Sequence, residues 1–196
     1  MKTTRRELLK AGAAAYGAAK LGPYVNVLGK NDEVRVGVIG FRSRGRYLLN
    51  QFAGMENVKI AAICDVDTNV LNPLAEQHPD VFATTDMRRV MDRNDVDVIV
   101  SAAPNHWHAL TTVWACQAGK HVYIEKPVSH GIWEGRQMVN AARKYKRIVS
   151  GGFQNRSATG LRPIMNDLHS GVYGKVKFAR GLCYRNRAGI GKRSAP

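Results

Sequence analysis

Residues 34–45 read VRVGVIGFRSRG, an apolar run followed by a turn that is rich in glycine and arginine. The near-continuous Val/Ile content of Val34–Ile39 predicts a strand that is buried on both faces of a parallel sheet. In an alignment with the dinucleotide-binding fingerprint, Gly40 makes the tight turn and Gly45 packs the following helix against the strand. Arg42 replaces the middle glycine and can place a cation beside a pyrophosphate, while the helix N-terminus supplies amide donors. The candidate cofactor-binding residues of this turn are Gly40, Phe41, Arg42 and Gly45.

Asp65 supports the same interpretation from the end of the next apolar run, Ala61-Ala62-Ile63-Cys64-Asp65, twenty residues after Gly45. A carboxylate in that place can accept both hydroxyls of an adenosine ribose and repels a 2′-phosphate. The sequence therefore favours NAD over NADP as the cofactor. The alternative role, for Asp65 or its neighbour Asp67, is to cap the next helix. Asp67 fits the cap better, and Asp65 fits the ribose role better.

The rest of the middle region alternates short apolar runs with helical patterns. The further predicted strands are Val58–Ile63, Val96–Val100, His121–Ile124 and Ile148–Gly151. Helices are predicted over Trp107–Ala118 and Gly131–Tyr145, and Gly119 stands where a helix-ending glycine belongs. Alternation of strands and helices at this spacing predicts an α/β fold with a doubly wound parallel Rossmann sheet.

Two further segments are more specific. SAAPNHWH at 101–108 follows one predicted strand, and GKHVYIEKP at 119–127 carries the next strand into a Glu-Lys-Pro turn. Together with DVDV at 95–98, they resemble the glucose-fructose oxidoreductase, inositol dehydrogenase and rhizopine-catabolism (Gfo/Idh/MocA) family. The resemblance covers about residues 33–185. It implies an NAD(P)-dependent oxidoreductase that acts on a secondary hydroxyl of a sugar, a polyol or a derivative of either.

The same resemblance implies roles for residues of both segments. Lys126 lies beside the substrate hydroxyl, and Glu125 approaches the nicotinamide ribose. The residues implied to pass close to the cofactor are Pro104, Asn105 and His106. Oxidation of an alcohol by hydride loss also requires removal of the hydroxyl proton, in which a lysine at the carboxyl edge of the sheet can share. A solvated surface lysine is the alternative, but the position of Lys126 between a buried strand and Pro127 favours the catalytic role.

The segment after the last predicted strand, GGFQNR at 151–156, resembles the family's crossover out of the Rossmann domain. By that resemblance the substrate-side candidates are Gln154, Asn155 and Arg156. Arg156 can orient substrate oxygens, and capping of the following helix is the alternative role for this region. A helix is predicted over residues 156–170. The first strand of a second domain is predicted over Gly174–Tyr184, where basic and apolar residues alternate.

The expected domain organisation is a signal and linker at 1–30, an NAD(P)-binding Rossmann domain at 31–155 and the start of a C-terminal substrate domain at 156–196. We expect the chain to be the first part of a longer enzyme that is a homo-oligomer at full length. Residues from Val172 onward are then expected to be poorly ordered in this chain alone. The resemblance also allows a retained NAD that is recycled within one turnover. The alternative function is a non-catalytic dinucleotide-binding or interaction module.

Charge and cysteine content exclude several other classes of protein. The net charge of +15 divides into +5 for residues 1–30, −2 for 31–140 and +12 for 141–196, so the predicted Rossmann domain is close to neutral. No recognition motif accompanies the basic tail, and we expect no nucleic-acid partner. The three cysteines, Cys64, Cys116 and Cys183, form no disulfide or zinc pattern. His106 and His108 are two residues apart and face different sides of a helix, so no metal is expected.

The N-terminal segment MKTTRRELLKAGAAAYGAAKLG resembles a twin-arginine export signal, with Arg5 and Arg6 before two leucines and a lysine. It predicts an exported, periplasmic protein that folds around its cofactor before transport. The alternative is an Ala-rich helix with a solvated basic end on a cytoplasmic protein. No apolar run approaches the length of a membrane-spanning helix, so no stable membrane insertion is expected.

Overall fold

The computed structural model describes residues 33–182 of the 196-residue chain. Its strands are β1 Val34–Ile39, β2 Val58–Cys64, β3 Phe82–Thr84, β4 Val98–Ser101, β5 His121–Glu125 and β6 Val149–Gly152. All neighbouring strands pair in parallel, in the order β3-β2-β1-β4-β5-β6. This is the strand order of doubly wound dinucleotide-binding folds, and the predicted fold class is confirmed.

Helices connect the strands in chain order. They are α1 Arg44–Ala53, α2 Thr68–Gln77, α3 Met87–Met91, α4 His108–Gln117, α5 Ile132–Lys144 and α6 Leu161–Ser170, with short 3₁₀ helices at Asn105–Trp107 and Gln154–Ser157. The predicted strands and the helices at α4 and α5 are confirmed, with their ends displaced by a few residues. The predicted helix over 156–170 is shorter, since α6 begins only at Leu161. Gly119, at φ +77°, follows the end of α4 in the left-handed conformation that glycine adopts readily.

The sheet buries an apolar layer on each face. Val36, Val38, Ile63 and Val100 point to one side, where they pack with apolar residues of α1 and α2. Their chain neighbours Ile39, Ala62, Cys64 and Ile99 point to the other side and pack against α3, α4 and α5. Successive residues of a strand face opposite ways, so each short Val/Ile run contributes to both layers. Full burial of a Val, Leu or Ile side chain stabilises a fold by about 1.5–3 kcal/mol.

The carboxyl ends of β1, β2 and β4 meet at one edge of the sheet, and hydrogen bonds tie their loops together. The Gly40 amide donates to the Cys64 carbonyl oxygen at 2.8 Å, and the Ala102 amide donates to the Ile39 carbonyl oxygen at 2.8 Å. The turn after β1 is thereby fastened to both neighbouring strands. In open α/β sheets, ligands bind at this edge, where the strand order reverses.

The strand predicted over Gly174–Tyr184 is wrong for the residues that the structure describes. Residues 175–182 have no regular secondary structure, and Val176, Phe178 and Leu182 are exposed. A strand is stabilised by the ladder to a neighbouring strand, and no strand within 33–182 pairs with this segment. The twin-arginine prediction and Cys183 lie outside the described residues. None of the helices between residues 33 and 182 has the length and apolar content needed to cross a bilayer.

Candidate functional site

A cleft of about 1200 Å³ opens at the carboxyl edge of the sheet. Its walls are the turn after β1, the segment after β2, the start of α3 and the segment after β4. Among the predicted site residues, those that line it are Gly40, Phe41, Arg42, Asp65 and Pro104. The structure therefore brings the glycine turn and the carboxylate after β2 to one place, as the dinucleotide interpretation requires.

The glycine turn admits no side chain at its two ends. Gly40 has φ +84°, and a Cβ there would lie 2.8 Å from the Ala103 backbone nitrogen. A Cβ on Gly45 would lie 1.7 Å from the Gly40 carbonyl oxygen, so the first turn of α1 packs directly beneath the loop. Glycine at both positions lets the loop close tightly over the N-terminus of α1. The backbone amides of such a terminus form an anion-binding site.

Asp65 is fixed beside this turn by the backbone. Its Oδ2 accepts a hydrogen bond from the Phe41 amide at 2.8 Å, and its Oδ1 accepts one from the Asp67 amide at 3.0 Å. A carboxylate has about four acceptor positions, so two remain for donors in the cleft. The site thus offers an oriented acceptor for a pair of hydroxyl groups next to an anion-binding turn.

Asp67 caps α2, as its sequence position predicts, and also pairs with Arg42. Its side chain accepts from the Asn69 amide at 3.0 Å and forms an ion pair with the Arg42 guanidinium. The Asp67 side chain is 8% exposed, whereas that of Arg42 is 69% exposed. Burial raises the pKa of Asp67, but the hydrogen bonds from Asn69 and Arg42 outweigh it and lower the pKa below its usual value. Asp67 is therefore ionised at neutral pH and neutralises Arg42 at the lip of the cleft.

A second aspartate–arginine pair lies across the cleft, at the start of α3. Asp86 caps α3 through the Arg88 amide, and its Oδ2 lies 2.7 Å from the Arg88 guanidinium. These hydrogen bonds from Arg88 lower the pKa of Asp86 to about 2. Sequence reasoning missed both residues, although an aspartate after a short apolar run is a signal for a helix cap.

Trp107, just before α4, and Trp114, within it, also belong to the wall of the cleft. Both line the cleft; Trp107 is 39% exposed, while Trp114 also packs against one apolar layer of the sheet. The 3₁₀ turn before α4 lies at the carboxyl edge, and this turns the Trp107 ring towards the cleft. Cys64 is a buried lining residue, and burial raises the pKa of its thiol to about 12.

Glu125 lies beneath the surface and does not line the cleft. The carboxylate is 3% exposed, accepts from Arg44 Nε at 2.7 Å and also accepts from the Lys126 amide at 3.1 Å. Gly152 leaves room for it, because a Cβ there would lie 2.9 Å from Glu125 Oε1. Glu125 thus joins the first turn of α1 to the end of β5, and its implied contact with a ribose stays a prediction.

Lys126 is exposed at the end of β5, and its bond to Pro127 is cis. The turn that carries it is held by His108, the first residue of α4, which is 1% exposed. The His108 Nδ1 lies 2.7 Å from the Pro127 carbonyl oxygen, and its Nε2 lies 2.8 Å from the Ala103 carbonyl oxygen. His108 is therefore a clamp between the loops that follow β4 and β5. The sequence places this histidine at a helix start but contains no signal for the clamp.

The remaining predicted residues do not line the cleft. Asn105 and His106 belong to the 3₁₀ turn before α4, and His106 is exposed. Gln154, Asn155 and Arg156 are exposed in the 3₁₀ helix after β6. The alternative capping role for that region is wrong, because Gly160 is the N-cap of α6 and no side chain caps it. Within residues 33–182, no three His, Cys, Asp or Glu side chains are grouped to hold a metal ion.

Comparison with known proteins agrees with this site. Residues 34–153 match the family model of the Gfo/Idh/MocA type, described as an oxidoreductase family with an NAD-binding Rossmann fold. The matched region contains the whole sheet and every cleft-lining residue named above.

The relatives are longer than this chain. A glycosyl hydrolase family 109 protein 2 from Shewanella sp. (strain ANA-3) is 38% identical over 130 residues, which cover 62% of this chain and 28% of the relative. A glycosyl hydrolase family 109 protein from Solibacter usitatus (strain Ellin6076) is 35% identical over 168 residues, 74% of this chain and 38% of the relative. Among solved structures, myo-inositol 2-dehydrogenase from Lactobacillus plantarum superimposes with a TM-score of 0.69 at 25% identity, covering 74% of this chain and 43% of that one.

Proposed function

Because the chain belongs to the Gfo/Idh/MocA oxidoreductase family, we propose that it forms the NAD-binding part of an enzyme that oxidises a secondary hydroxyl of a sugar, a polyol or a derivative. The observation that carries the proposal is the juxtaposition at the cleft of the Gly40 turn and the Asp65 carboxylate. The two are joined by the hydrogen bond from the Phe41 amide.

The residues present fit a dinucleotide. The close approach of Gly40 to Ala103 leaves a smooth backbone turn over the N-terminus of α1, where the amides would hold a pyrophosphate. The two free acceptor positions of Asp65 would take the adenosine ribose hydroxyls. Trp107 and Pro104 supply apolar surface on the opposite wall. When bound, NAD supplies a hydride acceptor.

Lys126 is the residue that we propose removes the proton of the substrate hydroxyl. It follows β5 at the same edge of the sheet, and the His108 clamp fixes the turn on which it stands. Hydride loss from the carbinol carbon leaves a hydroxyl proton to be removed, and an amine within hydrogen-bond reach can take it. The Glu125 carboxylate, which accepts from the Lys126 amide, orients the backbone at this point.

Cofactor binding tests the first half of the proposal. Trp107 and Trp114 line the cleft, so energy transfer from tryptophan to bound NADH reports occupancy directly. We expect saturable binding with NADH preferred over NADPH, and loss of that preference in Asp65→Ala. The matched control is Asp80→Ala, which removes an exposed carboxylate away from the cleft. An undiminished preference for NADH in Asp65→Ala refutes the ribose assignment.

Hydride transfer tests the second half. The full-length protein would be incubated with NAD and a panel of sugars and polyols while NADH formation is followed. Lys126→Ala is expected to abolish turnover and to leave NADH binding intact, whereas Lys59→Ala, at an exposed position on β2, should change neither. Full activity in Lys126→Ala removes the lysine from the mechanism. NADH binding without any turnover supports a non-catalytic dinucleotide-binding module instead.

A second candidate is a reaction with no net oxidation, in which NAD is retained and recycled. It is favoured by the names of the two curated relatives, both glycosyl hydrolase family 109 proteins. The expected observation is cleavage of a glycoside that requires NAD in catalytic amounts and accumulates no NADH. Stoichiometric NADH formation would exclude this candidate and support the simple dehydrogenase.

A further inference from the structure

We propose that Asp67 determines the choice between NAD and NADP by holding Arg42 in an ion pair at the ribose lip of the cleft. The inference rests on the proposed function, because it concerns the dinucleotide that the cleft would bind. Asp67, which also caps α2, then has a role in cofactor specificity. Arg42 is the cation whose availability decides whether a 2′-phosphate is bound.

The charge balance of the cleft is the first observation. Among its described lining residues, the cations are Arg42 and Arg88 and the anions are Asp65, Asp67 and Asp86. Each arginine is paired with an aspartate that also caps a helix. Three carboxylates against two guanidiniums leave one negative charge in excess. A 2′-phosphate would add further negative charge to a wall whose cations are already engaged.

The position of the Arg42 pair is the second observation. Arg42 follows Phe41, whose amide donates to Asp65 Oδ2, and the Asp67 amide donates to Asp65 Oδ1. Arg42 is therefore one residue away from an amide that holds the Asp65 carboxylate, and Asp67 itself supplies the other amide. The Arg88 pair makes no hydrogen bond to Asp65.

Release of Arg42 would change the ligand that this lip accepts. The Arg42 side chain is 69% exposed and held at its guanidinium by Asp67, so loss of the pair leaves a long, solvated cation next to Asp65. A guanidinium binds phosphate oxygens through parallel charge-assisted hydrogen bonds. A free Arg42 would stabilise a 2′-phosphate, while Asp65 would continue to accept from the ribose.

Asp67→Asn is the variant that isolates this effect. Asparagine caps helices about as well as aspartate, so the hydrogen bond from the Asn69 amide can be kept while the negative charge is removed. The ratio of NADPH to NADH affinity, measured on the full chain by tryptophan energy transfer, should rise about tenfold to a hundredfold. The matched control is Asp80→Asn, the same change at an exposed aspartate outside the cleft, for which the ratio should stay near that of the unmodified chain.

Arg42→Ala combined with Asp67→Asn completes the test. If the released arginine is responsible, the double variant loses the gain in NADPH affinity; if the gain persists, the effect is removal of Asp67's own repulsion and the inference falls. An unchanged ratio in Asp67→Asn, at an unchanged unfolding midpoint, overturns it as well. If Asp67→Asn lowers the unfolding midpoint, Asp67→Ser is measured in its place, because serine also caps helices and carries no charge. It must show the same rise in the ratio of NADPH to NADH affinity. Absence of NADH and NADPH binding in the unmodified chain would instead overturn the proposed function itself.

Discussion

The contact between Gly45 and Gly40 makes Gly45→Ala a demanding test of the site. The added Cβ would lie 1.7 Å from the Gly40 carbonyl oxygen and 2.7 Å from its carbonyl carbon. Real Cβ atoms essentially never approach within 3.0 Å, so the turn and α1 must separate by about 1.3 Å. Neither side yields easily, since the Gly40 amide is bonded to Cys64 and the obstructing atoms are backbone.

Overpacking of this kind costs about 1–3 kcal/mol, and a backbone obstruction belongs at the upper end. For a chain of this length, a loss of about 3 kcal/mol lowers the thermal midpoint by roughly 6–12 °C. Because the displaced turn is the proposed pyrophosphate site, NADH affinity should also fall, by about tenfold or more. Thermal unfolding and tryptophan energy transfer measure the two effects separately.

Gly54→Ala is the matched control, at the opposite end of the same helix. Gly54 has φ −87°, which alanine adopts readily, and a Cβ there would lie 3.4 Å from the Asn50 carbonyl oxygen, an ordinary contact. We expect Gly54→Ala to change the free energy of unfolding by less than about 0.5 kcal/mol. A Gly45→Ala variant with the unmodified midpoint and NADH affinity would refute the reasoning. Equal damage from both substitutions would show a general intolerance of α1 rather than a closed turn.

Three further changes have definite expected outcomes. His108→Leu removes the ring nitrogens that hold the Ala103 and Pro127 carbonyl oxygens and should destabilise the chain by about 2 kcal/mol in urea, while an unchanged midpoint would contradict the clamp. Burial raises the pKa of Cys64 from 9.0 to about 12, so between those values the thiol ionises first in the unfolded chain. Stability should therefore fall as the pH rises through this window, and Cys64→Ala should remove that part of the slope. Changing Arg5 and Arg6 to lysine should leave the full chain in the cytoplasm on cell fractionation, and undiminished export would contradict the proposed twin-arginine signal.

Much of the fold follows from local patterns in the sequence. Runs such as Val34–Ile39 and Val58–Cys64 are continuous in β-branched and apolar residues, because both faces of the strand are buried. The short strand Phe82–Thr84 escapes this reasoning, since three residues contain too little periodicity to be recognised. The helix that follows β2 was expected only through its cap at Asp67, and its extent was not predicted; its interior contains Pro73, which interrupts a helical pattern.

Some residues of the candidate site were likewise predicted from local sequence, and others were not. Gly40 and Asp65 were found because each stands at a fixed distance from the end of a strand, and the parallel sheet brings those ends together. Trp107, Trp114 and Asp86 were not assigned to the cleft. Their place there depends on how α3 and α4 approach the sheet from loops of different strands.

Five of the six strands, the glycine turn and the carboxylate after β2 follow from the sequence alone, because they depend on residues close together in the chain. The pairing of charged and polar side chains, in contrast, is visible only in the folded chain. Arg44 and Glu125 are 81 residues apart, Arg42 and Asp67 are 25 apart, and His108 reaches across 19 residues to Pro127. Strand order sets each of these pairings, since it places loops that are distant in the chain at the same edge of the sheet.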